Sequence, residues 1–248
     1  NNKLVIAISS RALFDLEEEN QIFEKDGLDA YYKYQLENED KSLKKGTGYR
    51  LVENILKINS FFSSDERQVE VIILSKNNAA TSLRITNAIN DLKLDIIRSA
   101  WTSGTNISNY LKAFKVDLFL SADDNDVLNA IENGVAAAKI LPSNENIHNS
   151  SNNQVRIAFD GDAVLFSEES ELVYKNNGLD AFIEHEKLNK DNPLEMGPFA
   201  KLLLTIAKIQ AKFPTDKSPI RTALVTARSA PTHERVIKTF NVWGVRVD

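Results

Sequence analysis

The chain has 248 residues, of which 42% are apolar and 26% are charged, and its formal net charge is −5. This length allows one large domain or two small ones. The acidic balance argues against nucleic acid or an anionic membrane as the main partner. The lack of cysteine excludes disulfides, thiolate catalysis and cysteine-based metal sites.

Neither a membrane span nor a signal peptide is recognisable in the sequence. No apolar run approaches the ~20 residues that a span needs. The sequence begins at Asn1 without a Met, so we expect the natural N-terminus to lie upstream. A cytoplasmic protein of bacterial type is the simplest interpretation.

Short apolar strands alternate with helical patterns along the chain. The predicted strands, in order, are KLVIAI, VEVIIL, VDLFL, AKIL, VRIAF, IRTALV and VRV. Apolar residues at helical spacing lie between them: Leu51, Ile55, Ile58, and later Val236, Ile237, Phe240. The alternation predicts an α/β fold with a parallel sheet covered on both faces. Ligands bind such sheets outside the carboxyl ends of the strands.

The sequence contains an internal repeat. Residues 6–46 align without a gap on residues 157–197, and both segments contain the block GLDA. The same offset of 151 residues later places Ser75 on Thr226. A register held over about 90 residues indicates a tandem duplication. We therefore predict two Rossmann-like parallel-sheet units in tandem.

The two copies differ in length. Residues 1–142 form the first copy, residues 143–154 are typical of an Asn-rich linker, and residues 155–248 form the second copy. The second copy stops at Asp248, which corresponds to Ile97 of the first, so we expect it to be incomplete at its C-terminus. Equal copies would need about 44 further residues, and we expect the chain to be part of a longer protein.

Two acidic residues follow a predicted strand of the second copy, in the segment IAFDGDAVLF. Asp160 and Asp162 repel each other at a strand end unless a cation holds them, and Mg²⁺ prefers such oxygen ligands. One carboxylate can also attack phosphorus while the second protonates the leaving oxygen. Thr226, with Ala227 after it, ends the next long strand and can donate its hydroxyl and backbone N–H to phosphoryl oxygens. Arg228 can neutralise their charge.

Simpler interpretations exist for several of these residues. Asp-Gly-Asp also occurs in turns, and a Thr before a helix is usually an N-cap. Val164 and Phe166 stand where an EF-hand loop needs oxygen ligands and glycine. Other charged residues are better explained as helix caps or solvated helix faces: Asp123, Asp124, Asp126, Glu168, Glu169, His185, and His233 and Glu234 beside Arg235. The conjunction of the acidic pair with Thr226 favours a functional site.

Longer segments carry a family resemblance. The motif DGDAV, followed about 65 residues later by LVTAR, resembles motifs one and two of the haloacid-dehalogenase-like phosphohydrolases. The segments SSRALFDLEEENQIFEKDGLDAYYKYQLENE, IAFDGDAVLFSEESE and ALVTARSAPTHERVIKTF are similar to the cytosolic 5'-nucleotidase 1 family, including its bacterial members. The resemblance extends over nearly the whole chain.

This resemblance implies an activity and a set of roles. The family hydrolyses nucleoside 5'-monophosphates with Mg²⁺, which makes the expected enzyme a phosphoric monoester hydrolase. Asp160 is then the nucleophile and a Mg²⁺ ligand, and Asp162 is the general acid/base, near the metal through its main-chain carbonyl. Thr226 binds the phosphoryl group.

Two departures from the family pattern follow. The third-motif Lys and the fourth-motif acidic pair are expected after Asp248, so we expect this segment alone to bind Mg²⁺ weakly and to turn over poorly. The first copy has Ser9 and Arg11 in place of Asp160 and Asp162. It therefore lacks the nucleophile, and we interpret it as a wall of the substrate cleft or a regulatory site.

Other functions remain open from the sequence. A phosphatase for another small phosphate ester and a non-catalytic nucleotide-binding regulatory protein are the two alternatives. A nucleotide effector and a homo-oligomer are also left open, whereas nucleic acid and membrane partners are not expected.

Overall fold

The structure is a computed structural model that describes residues 3–78, 81–142, 153–228, 230 and 232–247. The chain divides into two compact units, the first made of the described residues up to 142 and the second of those from 153 onward. Residues 143–152, most of the predicted linker, lie outside the described residues. In the described part of the chain, no helix combines the length and apolar character that crossing a membrane requires.

A parallel sheet forms the centre of the first unit. The strands of this unit are β1 Leu4–Ile8, β2 Phe14–Asp15, β3 Lys44–Lys45, β4 Val69–Ser75, β5 Arg98–Trp101, β6 Leu118–Ser121 and β7 Ala137–Lys139. Five of them form the sheet in the order β5–β4–β1–β6–β7, with every pair parallel. The remaining two, β2 and β3, form a short antiparallel pair. The four strands predicted for the first copy are all present in the sheet.

Six helices accompany the described strands of the first unit. They are α1 Ser10–Leu13, α2 Glu17–Glu37, α3 Tyr49–Lys57, α4 Leu83–Asp91, α5 Ser108–Ala113 and α6 Asp124–Glu132, with short 3₁₀ turns at Ile58–Phe61 and Ser64–Glu66. The predicted apolar spacing falls on α3, where Ile55 is buried, and on the turn after it, where Ile58 is buried. The side chain of Asp123 accepts a hydrogen bond from the N–H of Asp126 at 3.0 Å, which confirms the predicted cap of α6.

The sheet of the first unit is covered on both faces. Every residue of β1 is buried. Val5 and Ala7 belong to a core cluster with Leu111 and Phe119, and Ile6, which alternates with them along the strand, is buried on the opposite face. This pattern explains why the strand is apolar without interruption.

The second unit is built around two parallel strands. Its elements are β8 Val155–Asp160, a wide turn over Gly161–Leu165, α7 Glu169–Leu188, α8 Ala200–Gln210, a 3₁₀ turn at Thr215–Lys217, β9 Ile220–Val225 and α9 His233–Trp243. The two strands pair in parallel. Phe166 packs against Phe240 and Trp243, with ring centroids 5.6 and 5.7 Å apart. Arg156, Ala158 and other strand residues are exposed, in contrast to β1.

Two expectations for the second unit are wrong. The segment VRV does not form a strand in its described residues: the N–H of Val245 donates to the carbonyl of Phe240, and the hydroxyl of Thr222 donates to the carbonyl of Arg246. A side chain, not a backbone ladder, therefore joins this segment to β9. Ile237 is 54% exposed and so does not belong to the buried face of α9, whereas Val236 does.

The alignment without a gap is also wrong over a few residues. The N–H of Gly46 donates to the carbonyl of Leu13, but the N–H of Gly197 donates to the carbonyl of Leu165, one residue beyond the offset of 151. The turn of the second unit has one extra residue, so Arg11 alone stands where the second unit has Asp162 and Ala163. The original register then returns.

The long helix of each unit has a kink, and the two kinks lie at the original offset of 151 residues. Gly27 in α2 has φ +86° and ψ −176°, and Gly178 in α7 has φ +82° and ψ −176°. The two glycines lie at the predicted offset and adopt a conformation that residues with a Cβ rarely adopt. These matched features support the duplication, which stays a prediction.

Candidate active site

The acidic turn of the second unit begins where β8 ends. Asp160 is the last residue of β8; it is exposed, and its carboxylate makes no hydrogen bond or ion pair with the described residues. The turn closes when the N–H of Phe166 donates to the carbonyl of Gly161, at 3.0 Å. Inside it, Ala163 has φ +59°, a conformation that is strained for a residue with a Cβ. Such strain concentrates at functional sites.

Thr226 lies beside this turn. It directly follows β9, whose last residue, Val225, is paired with Asp160 in the sheet. A Cβ placed on Gly161 would lie 3.5 Å from the Cβ of Thr226. The Thr226 hydroxyl accepts a hydrogen bond from the N–H of Arg228 at 3.2 Å. The two motifs that the sequence separates by about 65 residues are therefore neighbours in the fold.

Arg228 holds Asp162. Its Nε lies 3.0 Å from Oδ1 and 3.2 Å from Oδ2 of Asp162, and its Nη2 lies 2.6 Å from Oδ1. Its Nη1 donates to the carboxylate of Glu186, and its guanidinium lies over the ring of Phe182, 5.3 Å from the centroid. The sequence suggested Arg228 as a free phosphate ligand, but here both ends of its guanidinium are occupied by carboxylates. This geometry suits a residue that orients Asp162.

Glu186 is the centre of a buried ion-pair network. Its side chain is fully buried, and Oε1 accepts hydrogen bonds from Nη1 of Arg235 at 3.0 Å and from the hydroxyl of Ser170 at 2.8 Å. Arg235 also donates from Nε to the carbonyl of Asn192 at 2.8 Å. With Asp162 and Arg228 this buried network joins two carboxylates to two guanidinium groups, and Glu169 lies 3.8 Å from Nη2 of Arg235 at its edge. A buried carboxylate is tolerated when it is paired and hydrogen-bonded in this way.

The structure places two of the residues predicted on solvated helix faces, His233 and His185, in different surroundings. His233 and Glu234 are exposed at the start of α9, as predicted for a solvated helix face. His185 is half-buried, and its Nε2 lies 3.3 Å from Oε1 of Glu169, so its interpretation as a solvated residue is wrong. Arg235, which the sequence placed beside that solvated face, is buried.

Two oxygen donors of the acidic turn are suited to Mg²⁺. The ion is commonly held by one or two carboxylates and keeps waters and substrate phosphate in its shell. Asp160 offers an exposed carboxylate that is not paired with any described residue, and the main-chain carbonyl of Asp162 follows two residues later. The Asp162 carboxylate is paired with Arg228. No group of three or more acidic, cysteine or histidine side chains that could hold a metal is found among the described residues.

Sequence reasoning missed three residues of the network: Ser170, Glu186 and Arg235. One signal was available for Arg235, because the repeat register places it on Arg84, so both copies have arginine at this position. Glu186 had no such signal, because Gln35 stands at the corresponding position of the first copy. Its partners come from α9 and the loop after β9, which are distant in sequence.

Comparisons with known proteins extend over the whole chain. A family model described as 5'-nucleotidase matches residues 1–248. The chain is also 36% identical over 256 aligned residues to the Homo sapiens protein named cytosolic 5'-nucleotidase 1B. The alignment includes 100% of this chain and 42% of that relative, so the chain spans less than half of the relative's length.

Proposed function

The chain belongs to the 5'-nucleotidase family, and from that premise we propose that its second unit hydrolyses nucleoside 5'-monophosphates to nucleoside and phosphate. The matches confirm the family resemblance found in the sequence. The observation that carries the proposal is the acidic turn: Asp160 and Asp162 follow β8 and lie beside Thr226, at the carboxyl ends of paired parallel strands.

Asp160 is the nucleophile in this proposal. A carboxylate oxygen of Asp160 forms a bond to phosphorus, the bond from phosphorus to the 5' oxygen breaks, and the leaving oxygen takes a proton from Asp162. Water then attacks the aspartyl-phosphate, gives a proton to Asp162 and releases phosphate, which restores both carboxyl groups. The carboxylate of Asp160 is exposed and has no ion-pair partner among the described residues, which supports this role.

Arg228 orients Asp162 for its proton transfers. Three N–O contacts of 2.6 to 3.2 Å fix the plane of the Asp162 carboxyl group, and Glu186 fixes Arg228 from the other side. As a carboxylate in this pair, Asp162 is ready to accept the proton from water in the second step. For the first step it carries a proton, and the contact to Arg228 keeps it in place.

Thr226 and Ala227 receive the phosphoryl group in this proposal. Thr226 supplies its hydroxyl, and Ala227 is exposed directly after β9, so its backbone is accessible to an anion. Mg²⁺, held by Asp160 and the carbonyl of Asp162, would supply charge stabilisation at the phosphoryl oxygens. The donors that would complete its shell are not among the described residues.

Phosphate release by the natural full-length protein tests the proposal. AMP, GMP, CMP and UMP are compared with sugar phosphates, each with Mg²⁺ and with EDTA. We expect metal-dependent release from nucleoside monophosphates, and a decrease of several orders of magnitude in Asp160→Asn, because an amide does not attack phosphorus. Asp216→Asn, which changes an exposed aspartate elsewhere in the second unit, is the matched control.

Each outcome of this assay discriminates between functions. Near-normal turnover in Asp160→Asn would contradict the mechanism. A preference for sugar phosphates would favour a phosphatase of different substrate class. Nucleotide binding without any phosphate release would favour a non-catalytic nucleotide-binding protein.

The compartment and assembly belong to the same proposal. The name of the human relative describes that protein as cytosolic, and we infer the cytoplasm for this chain as well. Size measurement in solution tests for a homo-oligomer, which stays a prediction.

A further inference from the structure

A pocket of about 510 Å³ lies within the first unit, the one without the nucleophile. It is formed at the carboxyl ends of β1, β4 and β6, where ligands bind to parallel sheets. Its volume is within the range of small-molecule sites, about 300–1,000 Å³. It occupies the same place in the first unit that the acidic turn and Thr226 occupy in the second.

Serine hydroxyls form the floor of this pocket. The Oγ atoms of Ser10 and Ser75 are 3.0 Å apart, and the hydroxyl of Ser121 lies 3.3 Å from that of Ser9. All four side chains are buried. A hydroxyl can donate to a phosphate oxygen, whereas a carboxylate repels it. The Ser121 hydroxyl also lies 3.4 Å from Oδ2 of Asp126, whose charge is paired with Lys76. With that charge balanced, the hydroxyls of the floor suit an anion without an intervening metal ion.

The charges around the floor also differ from those of the second unit. Ser9 replaces Asp160, and Arg11 stands where the second unit has Asp162 and Ala163, so two carboxylates become a hydroxyl and a guanidinium. Arg11 is exposed and makes no ion pair among the residues that the structure describes. It is available to a phosphate at the pocket mouth.

The acids that line the pocket already have partners. Glu19 is paired with Arg84, and Asp126 is paired with Lys76 at 2.6 Å. Asp123 accepts the hydrogen bond that caps α6. The charges of Glu19 and Asp126 are thus balanced inside the unit, which reduces their repulsion of an anionic ligand.

An aromatic pair lines the pocket as well, and its counterpart flanks the acidic turn of the second unit. Phe23 and Tyr31 meet edge to face, with centroids 5.9 Å apart and planes at 79°. At the corresponding positions Tyr174 and Phe182 meet with centroids 6.2 Å apart and planes at 82°. Arg228, which holds Asp162, lies over Phe182. Each unit therefore has its own aromatic pair of this geometry, whereas the residues at positions 9 and 11 differ from Asp160 and Asp162.

Exposure of this wall supports contact with a planar ring. Phe23 is 49% exposed although it borders the pocket. Tyr31 is more deeply placed, and burial raises the pKa of its phenol. An aromatic surface open on one side is suited to stacking with a nucleobase.

We propose that the first unit binds a nucleoside monophosphate without hydrolysing it, with the phosphate at the serine floor and Arg11 and the base against Phe23 and Tyr31. The ligand class rests on the proposed function of the second unit. Without a carboxylate at position 9 the phosphorus does not meet the nucleophile that the second unit uses, and we expect the bound nucleotide to persist. The first unit is then a second nucleotide site in the same chain.

Equilibrium dialysis of the natural full-length protein carrying Asp160→Asn tests this site, because that variant does not consume the ligand. AMP, GMP, CMP and UMP are tested separately, together with adenosine and inorganic phosphate. We expect two molecules of at least one nucleotide per chain, and at least tenfold weaker binding of adenosine and of phosphate. Tenfold is the effect of losing about one hydrogen bond to a charged group.

Two variants assign the second molecule to the first unit. Arg11→Glu reverses the free charge, and Phe23→Ala removes the exposed ring; both side chains are open to solvent, so we expect the chain to fold normally. Each is expected to weaken one of the two bound nucleotides at least tenfold. Lys25→Glu is the control: it reverses an exposed charge on α2, the helix of Phe23, outside the pocket lining. We expect it to leave the binding of both nucleotides unchanged.

The outcomes separate this inference from the proposed function. One nucleotide per chain in a protein that hydrolyses nucleotides overturns the second site and leaves the function intact. Arg11-sensitive and Phe23-sensitive binding in a protein that releases no phosphate supports the site while the function fails. Binding of two nucleotides that neither variant weakens, or binding of none, overturns the site.

Discussion

The two units place an arginine in the same position and neutralise it from different directions. Arg84 in the first unit and Arg235 in the second both donate from Nε to a main-chain carbonyl, that of Lys41 and that of Asn192. In the first unit the acid is Glu19. In the second unit Ser170 stands at the position of Glu19, and the acid that pairs with Arg235 is Glu186, which accepts a hydrogen bond from Ser170. The core requires a carboxylate for its buried arginine, but not at one particular residue.

The larger difference concerns what surrounds this arginine. The second unit has an additional arginine, Arg228, at the position of Asn77 in the first. A second buried cation needs a second acid, and Asp162 provides it. The acidic turn is thus bound to the core through an ion pair that the first unit lacks. In the first unit Lys76 pairs with Asp126 on α6.

The largest expected effect follows from removing that turn's proton donor. Asp162→Asn keeps the shape and the contact to Arg228 in part, but it cannot transfer a proton. We expect kcat for nucleoside monophosphates to fall by about 10²–10⁴-fold in the natural full-length protein. Steady-state phosphate release measures it, with Asp216→Asn beside it. An unchanged kcat would contradict the role of Asp162 as the proton donor.

The position of the buried acid is tested by a rescue experiment. Glu186→Gln leaves Arg228 and Arg235 without their common carboxylate, and we expect the second unit to lose about 3–5 kcal/mol of unfolding free energy. Adding Ser170→Glu recreates the arrangement of the first unit around Arg235 and should recover part of the loss. Denaturant unfolding followed by the fluorescence of Trp243, in a Trp101→Phe background, reports on the second unit.

The result of this rescue decides the comparison. Glu171→Gln, which affects an ion pair at the surface of α7, is the control and should change the free energy of unfolding by less than about 1 kcal/mol. If Ser170→Glu destabilises the Glu186→Gln chain further, the two arrangements are not interchangeable.

The helix kinks offer a matched pair of smaller effects. Gly27→Ala and Gly178→Ala each force a Cβ into a backbone conformation, φ above +80° with ψ −176°, that essentially only glycine adopts, at a cost of about 1–3 kcal/mol. A Cβ at either position meets no atom within 4 Å, so backbone strain is the only cost. Single-tryptophan chains retaining Trp101 or Trp243 measure each unit. Unequal losses would argue that the two kinks are not equivalent, and hence against the duplication.

The smallest expected effect comes from two surface ion pairs of the second unit that share Lys238. Lys238 lies 2.6 Å from Asp191 and 2.7 Å from Glu234, and its hydrogen bonds lower the pKa of both carboxyl groups. Because these pKa values are lower in the folded state, the stabilisation is present above the ordinary carboxyl range and is lost as the pH falls through the folded pKa values.

Lys238→Met should therefore lower Tm slightly near neutral pH and not at strongly acidic pH. The difference should also shrink in high salt, because exposed ion pairs are screened. Thermal unfolding across a pH series measures it. A decrease in Tm that is the same at every pH would indicate lost packing instead of lost ion pairs.

Local pattern was sufficient for much of the fold. Runs such as KLVIAI and VRIAF became β1 and β8 because alternate side chains of an apolar strand can be buried on both faces or on one. Asp123 was recognised as a cap because capping involves only the next few residues. The acidic pair and Thr226 met because parallel strands end at the same edge of a sheet.

Several of the errors concern side chains whose partners lie on other turns or other elements. His185 was taken as solvated, and Arg235 was placed beside a solvated helix face, because charged residues on a helix usually face solvent. Arg235 instead pairs with Glu186 of another helix, and His185 faces Glu169 on an earlier turn of its own helix. That Arg228 neutralises phosphate stays a prediction, but nothing in its own segment indicated that it also pairs with Glu186. The extra residue of the acidic turn is invisible to an alignment that regains its register a few residues later.

The sequence by itself determined the α/β class, the family and the positions of Asp160, Asp162 and Thr226, and it predicts the repeat. These follow from local periodicity and from motifs whose residues are close along the chain. Only the tertiary structure decided that Arg228 holds Asp162, that Glu186 balances two arginines, and that a serine-floored pocket replaces the acidic turn in the first unit. Charge balance inside a core is a property of space, since a buried ion is stabilised by whichever partner lies within hydrogen-bond distance, wherever the chain provides it.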